Sequence, residues 1–279
     1  MIRRFYIEIT STCNLSCPFC HKNSRPPRRM SADEFEHIVS MVSEVTRYIY
    51  LHVQGEPLTH PELNQFLIIA ERYGCHVQLV TNALLLKDHM DLLNYPSLRK
   101  ISFSLQSVEA HTMPVAELME PVFTFIEKAS LQGHPYCELR FWRDDQMEQK
   151  RTEECLRMIR SRYTASDSGR EKNEKILPGV YVDFSNPFEW PDTAGPSDET
   201  RGTCLGGIDQ LAVLSDGTVV PCCLDEDGKI PLGNLFDSTL KEILNSERYI
   251  NFADGMRRHE LSEELCRRCT FRKRFDRKL

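Results

Sequence analysis

The stretch "KISFSLQ", residues 100–106, has two faces. In an extended chain Ile101, Phe103 and Leu105 share one side, and Ser102, Ser104 and Gln106 share the other. "YCELRFW" (136–142) repeats the pattern: Cys137, Leu139 and Phe141 oppose Tyr136, Glu138, Arg140 and Trp142. His52 and Gln54 in "YIYLHVQ" (48–54), and Gln78 and Asn82 in "VQLVTN" (77–82), extend it to two more segments. Strands covered by helices on both faces read as continuous apolar runs, and these do not. An open antiparallel sheet also alternates, but its strands follow one another through short turns. Here helix-like stretches intervene, among them "SADEFEHIVSMVSEV", "PELNQFLIIAERYG" and "PVAELMEPVFTFIEKASLQG". With helices on the apolar outer face, the polar face looks inward onto something wet. Together with "FYIEIT" (5–10) and "VYVDFS" (180–185), six strand–helix units predict an α/β fold, a partial (β/α)6 TIM-like barrel with a polar lumen.

Local signals agree with this. Ser31 followed by Glu34 is a capping box opening the first helix. Pro61 and Gly74 bracket the second, as helix boundaries prefer. From about 164 to 203 the chain turns polar and rich in Pro, Gly and Ser, and it reads as a bridge closing the first domain. A small cysteine-bearing module follows. Its Asp216-Gly217 between two apolar runs is a hairpin signal, and "STLKEILNSERYINFADGMRR" is a helix. The expected domains are 1–190, the barrel, and 191–279, a β-hairpin plus helix.

Composition narrows the function classes. With 279 residues and 41% hydrophobic content the chain can bury a sizeable core, and no apolar run reaches the length of a membrane span. "MIRRFYIEI" begins directly with strand-like sequence, without a signal peptide, so a cytoplasmic setting is expected. A net charge of −6 argues against general nucleic-acid binding. The C-terminal "CRRCTFRKRFDRKL", with seven Lys or Arg, reads as a solvated tail. Eleven cysteines in a reducing compartment suggest metal ligands or small core residues rather than disulfides. Cys75, Cys137, Cys155 and Cys223 fit the second description, with Cys223 pointing away from its neighbour Cys222.

Three cysteines, Cys13, Cys17 and Cys20, stand within eight residues in "TCNLSCPFC" (12–20), with no fourth nearby. A fully ligated four-iron cube needs four thiolates, so three leave one iron open to an exogenous ligand. The loop follows the first strand, which places it at the barrel mouth where such folds keep their active sites. A zinc site could also use three thiolates. The C-x3-C-x2-C spacing, with Phe19 before the last cysteine, resembles the radical S-adenosylmethionine (SAM) superfamily. "GEP" (Gly55, Glu56, Pro57) closes the second strand and is similar to the family motif that contacts the methionine amino group. "TNA" begins with Thr81 and Asn82 and closes the third strand. "SLQS", with Ser104 and Gln106, closes the fourth and resembles the segment that approaches the cofactor's carboxylate and ribose. The chain departs from the family at Gln54, Ala83 and Gln106, where glycine, glycine and aspartate are common. The resemblance implies a 4Fe–4S cluster, SAM as its extra ligand, and its reductive cleavage to a 5′-deoxyadenosyl radical that abstracts a substrate hydrogen.

Cys204, Cys222, Cys266 and Cys269 form a second set, which on spacing alone reads as one closed zinc or iron–sulfur site. Beside the first domain it resembles the twitch module, a short relative of SPASM, implying an auxiliary 4Fe–4S cluster. Such a cluster suits oxidation of a substrate radical, so the resemblance implies a dehydrogenase-like enzyme acting on a small polar metabolite. The alternatives are a peptide-modifying enzyme and, in another class, a non-catalytic iron–sulfur or zinc scaffold. The chain opens at its first barrel strand without a leader-binding domain, which favours the metabolite. Expected partners are a small-molecule or peptide substrate and an external one-electron reductant of flavodoxin or ferredoxin type. Arg140 and Glu138 are the lumen candidates for catalysis; Arg140 grips a substrate anion or pairs with a lumen carboxylate.

Overall fold

The computed structural model describes residues 2–22, 24–143, 149–170, 173–194 and 199–275. The chain folds around one eleven-stranded sheet with strand order β11-β10-β9-β1-β2-β3-β4-β5-β8-β7-β6. Six parallel strands succeed one another as the sequence predicts: β1 (Arg4–Ile7), β2 (Tyr48–Tyr50), β3 (His76–Thr81), β4 (Leu98–Ser104), β5 (Tyr136–Trp142) and β8 (Val180–Ser185). Their outer residues, including Ile49, Leu79, Phe103, Leu139 and Phe141, are buried beneath helices. Helix α1 (Ala32–Val42) carries the predicted capping box and turns Phe35, Ile38, Val39 and Val42 inward. Its Phe35 stacks on Phe66 of α2 (Leu63–Arg72). Helix α3 (Val115–Gln132) ends at Gly133, whose φ of +72° is the left-handed cap that glycine adopts without strain. Phe125 of α3 meets Phe103 edge to face, and α4 (Lys150–Arg162) follows β5. The inner face satisfies its own polar groups: Glu138 accepts from Lys100 at 2.9 Å and from Ser102 at 2.8 Å.

The sheet extends beyond the six strands at both ends. Residues read as a polar bridge contain β6 (Ser166–Arg170) and β7 (Asn173–Leu177), which add antiparallel to β8. Their composition is polar because an edge hairpin has little to bury. At the other end β9 (Gln210–Val213) pairs in parallel with β1, Arg4 opposite Gln210 and Ile7 opposite Val213. The predicted hairpin returns through Gly217, φ +85°, into β10 (Thr218–Val220) and then β11 (Gly233–Asn234). Helices α5 (Leu240–Leu244), α6 (Glu247–Arg257) and α7 (Glu264–Arg268) complete the C-terminal part. The cysteine-bearing segment therefore continues the barrel's own sheet.

The basic C-terminus differs from the expected solvated tail. Arg272 is buried and paired with Glu199, and Lys273 reaches the same carboxylate at 3.1 Å. Residues 276–279 of that tail lie outside the described residues.

Candidate functional site

The β1–α1 loop carries Cys13, Cys17 and Cys20 and is fastened from several sides. Arg25 donates to the buried Glu8 carboxylate at 2.5 Å and to the Glu226 carbonyl at 2.5 Å. The Ser215 amide donates to the other Glu8 oxygen at 2.9 Å, and Asp227 accepts from the Ser24 amide at 2.9 Å. The C-terminal segment thus clamps the loop on which the cysteine triad sits. Burial pushes the Cys17 thiol up to about 11 and the Cys20 thiol up to about 12, so both are protonated in the metal-free chain. Taking up a metal cluster displaces those protons.

The second motif is built by close approach. Gly55 has φ +75°, and a Cβ there would lie 2.4 Å from the Thr10 carbonyl oxygen and 2.7 Å from that of Thr12. Only glycine lets the β2 loop lie against the cysteine loop this closely. Gly55→Ala must therefore separate two backbones, and we expect a loss of about 3 kcal/mol or more in urea unfolding. An unchanged midpoint would show that the two loops are not held together here. The next residue, Glu56, is buried and ties β2 to β3: its carboxylate accepts from the Leu58 amide (3.0 Å), the Thr81 hydroxyl (2.7 Å) and the Asn82 amide (2.7 Å). Burial pushes it up to about 7 against the pull of those three donors. Asn82 reaches on to Asn14 in the cysteine loop at 2.8 Å. Pro57 opens the short turn that the Glu56 side chain caps.

A cavity of about 280 Å³ gathers most of these parts. All three loop cysteines and Phe19 line it, with Gly55, Glu56, Thr81, Asn82, Ser104, Gln106 and Arg140 from the strand ends. Pro57 and Glu138 do not reach the lining. Glu138 is engaged by Lys100 and Ser102, whereas Arg140 has no hydrogen-bond or ion-pair partner among the described residues. Arg140 lines the cavity, and against the effect of burial its charge, after that of Lys100, also helps draw the Glu138 carboxyl down. A larger groove of about 800 Å³ runs along α3, lined by Lys87, Met90, Leu118 and Pro121; it touches the motifs only at Ala83 and holds no thiol.

Several lining residues were not selected from sequence. An aromatic wall closes one side, with Phe19 against Trp142 at 4.7 Å, Phe188 against Trp190 at 5.1 Å and Phe188 against Phe271 at 5.0 Å. Two aromatic residues inside the otherwise polar "SNPFEWPDT" were the available signal. Cys223 packs against the small apolar cluster of Tyr6, Ala212, Leu214 and Val220 and also lines the cavity, and the Tyr6 hydroxyl is its partner. His52 turns into the same space; burial, then the charges of Arg140 and Lys100, push it down to about 3, so its imidazole is neutral. Cys75, Cys137 and Cys155 are buried, as expected of small core residues.

The second cysteine set also converges. Cys222 lies just past β10, Cys266 sits in α7 and Cys269 caps it. Burial, then the neighbouring Cys223, Cys204 and Cys266, hold the Cys222 thiol well above its ordinary range; burial, then Cys204 and Cys269, do the same for Cys266. A Cβ on Gly206 would stand 3.7 Å from the Cys204 sulfur and 3.6 Å from the Cys222 Cβ, so the bare glycine leaves room beside these thiols. Among the described residues no three His, Cys, Asp or Glu side chains stand close enough to share a single metal ion. Thiolates on the corners of a cube stand farther apart than those around one ion. Seven thiols in a group of three and a group of four fit one open and one closed cluster of that kind.

Comparison with known proteins supplies a family for this geometry. The profile of the Radical SAM superfamily matches residues 7–133, and that of SPASM, an iron–sulfur cluster-binding domain, matches 204–270. A probable GTP 3′,8-cyclase of Methanopyrus kandleri is 31% identical over 110 residues, 39% of this chain and 36% of that protein. An AdoMet-dependent heme synthase of Methanosarcina barkeri is 29% identical over 38% of this chain and 31% of its own length. The chain thus spans about a third of these curated relatives. The PqqA peptide cyclase of Gluconobacter oxydans aligns over 96% of this chain and 82% of its own, at 24% identity. Among solved structures, BtrN in complex with AdoMet and 2-DOIA superposes with a TM-score of 0.63 at 16% identity, covering 97% of this chain and 93% of that one. SuiB of Streptococcus suis bound to S-adenosylmethionine superposes with a TM-score of 0.59 at 18% identity, covering 98% and 72%.

Proposed function

From a chain that belongs to the radical SAM superfamily and carries a SPASM cluster-binding domain, we infer an oxidoreductase that uses SAM to oxidise a small polar substrate. Cys13, Cys17 and Cys20 would hold the cluster that binds and cleaves SAM. Cys204, Cys222, Cys266 and Cys269 would hold a second one. When bound, these groups supply a 5′-deoxyadenosyl radical and a one-electron acceptor. The chain itself supplies the enclosure. Gly55, Glu56, Thr81 and Asn82 draw the strand ends against the cysteine loop; Ser104 and Gln106 face the space the cofactor needs. The aromatic wall of Phe19, Trp142, Phe188 and Trp190 keeps water from a reactive carbon. Arg140, without a hydrogen-bond or ion-pair partner among the described residues, offers its fork to a polar or anionic substrate group. The functional division at about residue 190 follows, with the barrel generating the radical and the C-terminal part receiving the electron. The first electron comes from an external flavodoxin- or ferredoxin-type reductant, in a cytoplasmic setting that keeps the thiols reduced.

A single observation carries this reading: one cavity is lined at once by the three loop cysteines, four strand ends and Cys223-Leu224 beside the second cysteine set. The test is anaerobic reconstitution, then reduction with SAM present. About eight irons per chain, as two four-iron cubes require, and release of methionine with 5′-deoxyadenosine are expected. An iron-loaded chain that leaves SAM intact would refute it. A peptide substrate is the second reading, favoured by the full-length alignment with PqqA peptide cyclase.

A further inference from the structure

We propose that His52 is the proton acceptor of the oxidation, and that the substrate carries a hydroxyl or amino group on the carbon that loses hydrogen. This rests on the oxidoreductase reading above. The inference starts from what the cavity offers. Taking a hydrogen atom and an electron from a carbon that bears O–H leaves a protonated carbonyl, so a base must stand within hydrogen-bond reach of that oxygen. Arg140 cannot serve, because a guanidinium has no acceptor. The Glu56 carboxylate is already tied by three donors. The three loop cysteines are given to the cluster, and Cys223 presents a thiol, which must lose its own proton before it can take another.

His52 remains. It follows β2, lines the cavity and has no hydrogen-bond partner for either ring nitrogen among the described residues; its Nδ1 is fully buried and unsatisfied, and the less enclosed Nε2 is the nitrogen that a substrate can reach. A buried imidazole nitrogen left without a partner is costly, and such groups concentrate where a ligand completes them. The ring is also held. Tyr6 meets it edge to face at 5.3 Å and 87°, and Tyr50 at 5.9 Å and 74°, so it presents itself without freedom to turn away. A weak base suffices, because a carbonyl protonated on oxygen is a far stronger acid than an imidazolium.

The balance closes. The C–H hydrogen atom leaves to the 5′-deoxyadenosyl carbon, giving 5′-deoxyadenosine. The O–H or N–H proton goes to the His52 imidazole. The remaining electron goes to an iron–sulfur oxidant, the auxiliary cluster, and the C=O or C=N bond forms.

The substrate is sought with a small-molecule metabolite extract from cells grown in deuterium oxide, whose C–D bonds report on abstraction. Deuterium should appear in 5′-deoxyadenosine made by the wild-type holoenzyme, and the active fraction then becomes the probe. With it, His52→Ala should lower the ratio of oxidised product to 5′-deoxyadenosine on the order of 10²-fold, the usual worth of a positioned base. Added imidazole, which fits the space left by the ring, should restore part of it. Freeze-quenched His52→Ala should accumulate a carbon-centred radical signal that the wild type does not. In His52→Gln, which fills the site without a comparable base, the same signal should appear and imidazole should not rescue. An undiminished ratio in both variants overturns His52 alone. Product at the substrate's own redox level, with solvent-derived hydrogen on the attacked carbon, overturns it as well and points to hydrogen return from Cys223. No deuterium in 5′-deoxyadenosine overturns the small-molecule reading and this inference together.

Discussion

Replacing Cys13, Cys17 or Cys20 with alanine is expected to abolish SAM cleavage, a fall of ~10³-fold or more, or about 4 kcal/mol in barrier. It should also lower bound iron from about eight to about four per chain. The size follows from the absence of a substitute. The loop's other strong iron ligand, the His21 imidazole, is engaged by the Asp227 carboxylate at 3.1 Å. Asn14 is engaged by Asn82, and the Glu56 carboxylate beside Cys13 is fixed by donors from two other segments. The effect should be chemical rather than structural. Cys13 and Cys20 are exposed, and the loop is held by Arg25, Asp227 and Glu8 through contacts that involve no cysteine side chain. Urea midpoints of the metal-free Cys13 and Cys20 variants should therefore stay near wild type, whereas the buried Cys17 adds a small loss of its own. SAM cleavage in any single variant at more than a tenth of the normal rate would mean that this loop does not hold the catalytic cluster.

Much of this site could be read from alternation along the strands. Ser102 and Ser104 share a face in "KISFSLQ" because a strand's period is two, and the cavity formed at the end of that face; the strand stops at Ser104, and Gln106 reaches the cavity from the short helical turn that follows. The motif residues at strand ends came together for the same reason: in a barrel, all C-terminal strand ends share one rim. What stayed hidden depended on long-range pairing. The "QLAV" of β9 is apolar after Gln210 and buried along its whole length, the pattern of a strand covered on both faces, yet nothing local says that its partner is β1, two hundred residues earlier. Cys223 shows the same limit. Its divergence from Cys222 follows from local geometry, but whether it diverges into a core or a cavity is decided by where the whole hairpin docks. The burial of Arg272 was likewise invisible, since a run of basic residues reads as solvated until a partner such as Glu199 is placed beside it.

The docking of β9 onto β1 also makes the two cysteine sets unequal in what their loss should do. Cys222→Ala or Cys266→Ala is expected to lower iron to about four per chain, as a triad variant does, but with two further effects. First, oxidised product per 5′-deoxyadenosine should fall ~10²-fold or more, because a radical formed in the cavity has lost its electron acceptor. Second, the holoprotein should lose at least ~3 kcal/mol of unfolding free energy, because metal held by ligands from separate segments contributes directly to folding. Cys204 precedes β9, Cys222 follows β10 and Cys266 lies in α7, so one closed site ties the β9–β10 hairpin to α7. Since β9 is an interior strand of the same sheet, loosening that tie exposes the edge of β1 and the root of the catalytic loop. The destabilisation should therefore reach the barrel, seen as faster amide exchange along Phe5–Ile7 in the Cys266→Ala holoprotein. The comparison with a triad variant is decisive, because both lose the same amount of iron. Equal urea midpoints for Cys13→Ala and Cys266→Ala holoproteins would show that the second cysteine set carries no cluster that holds the sheet together.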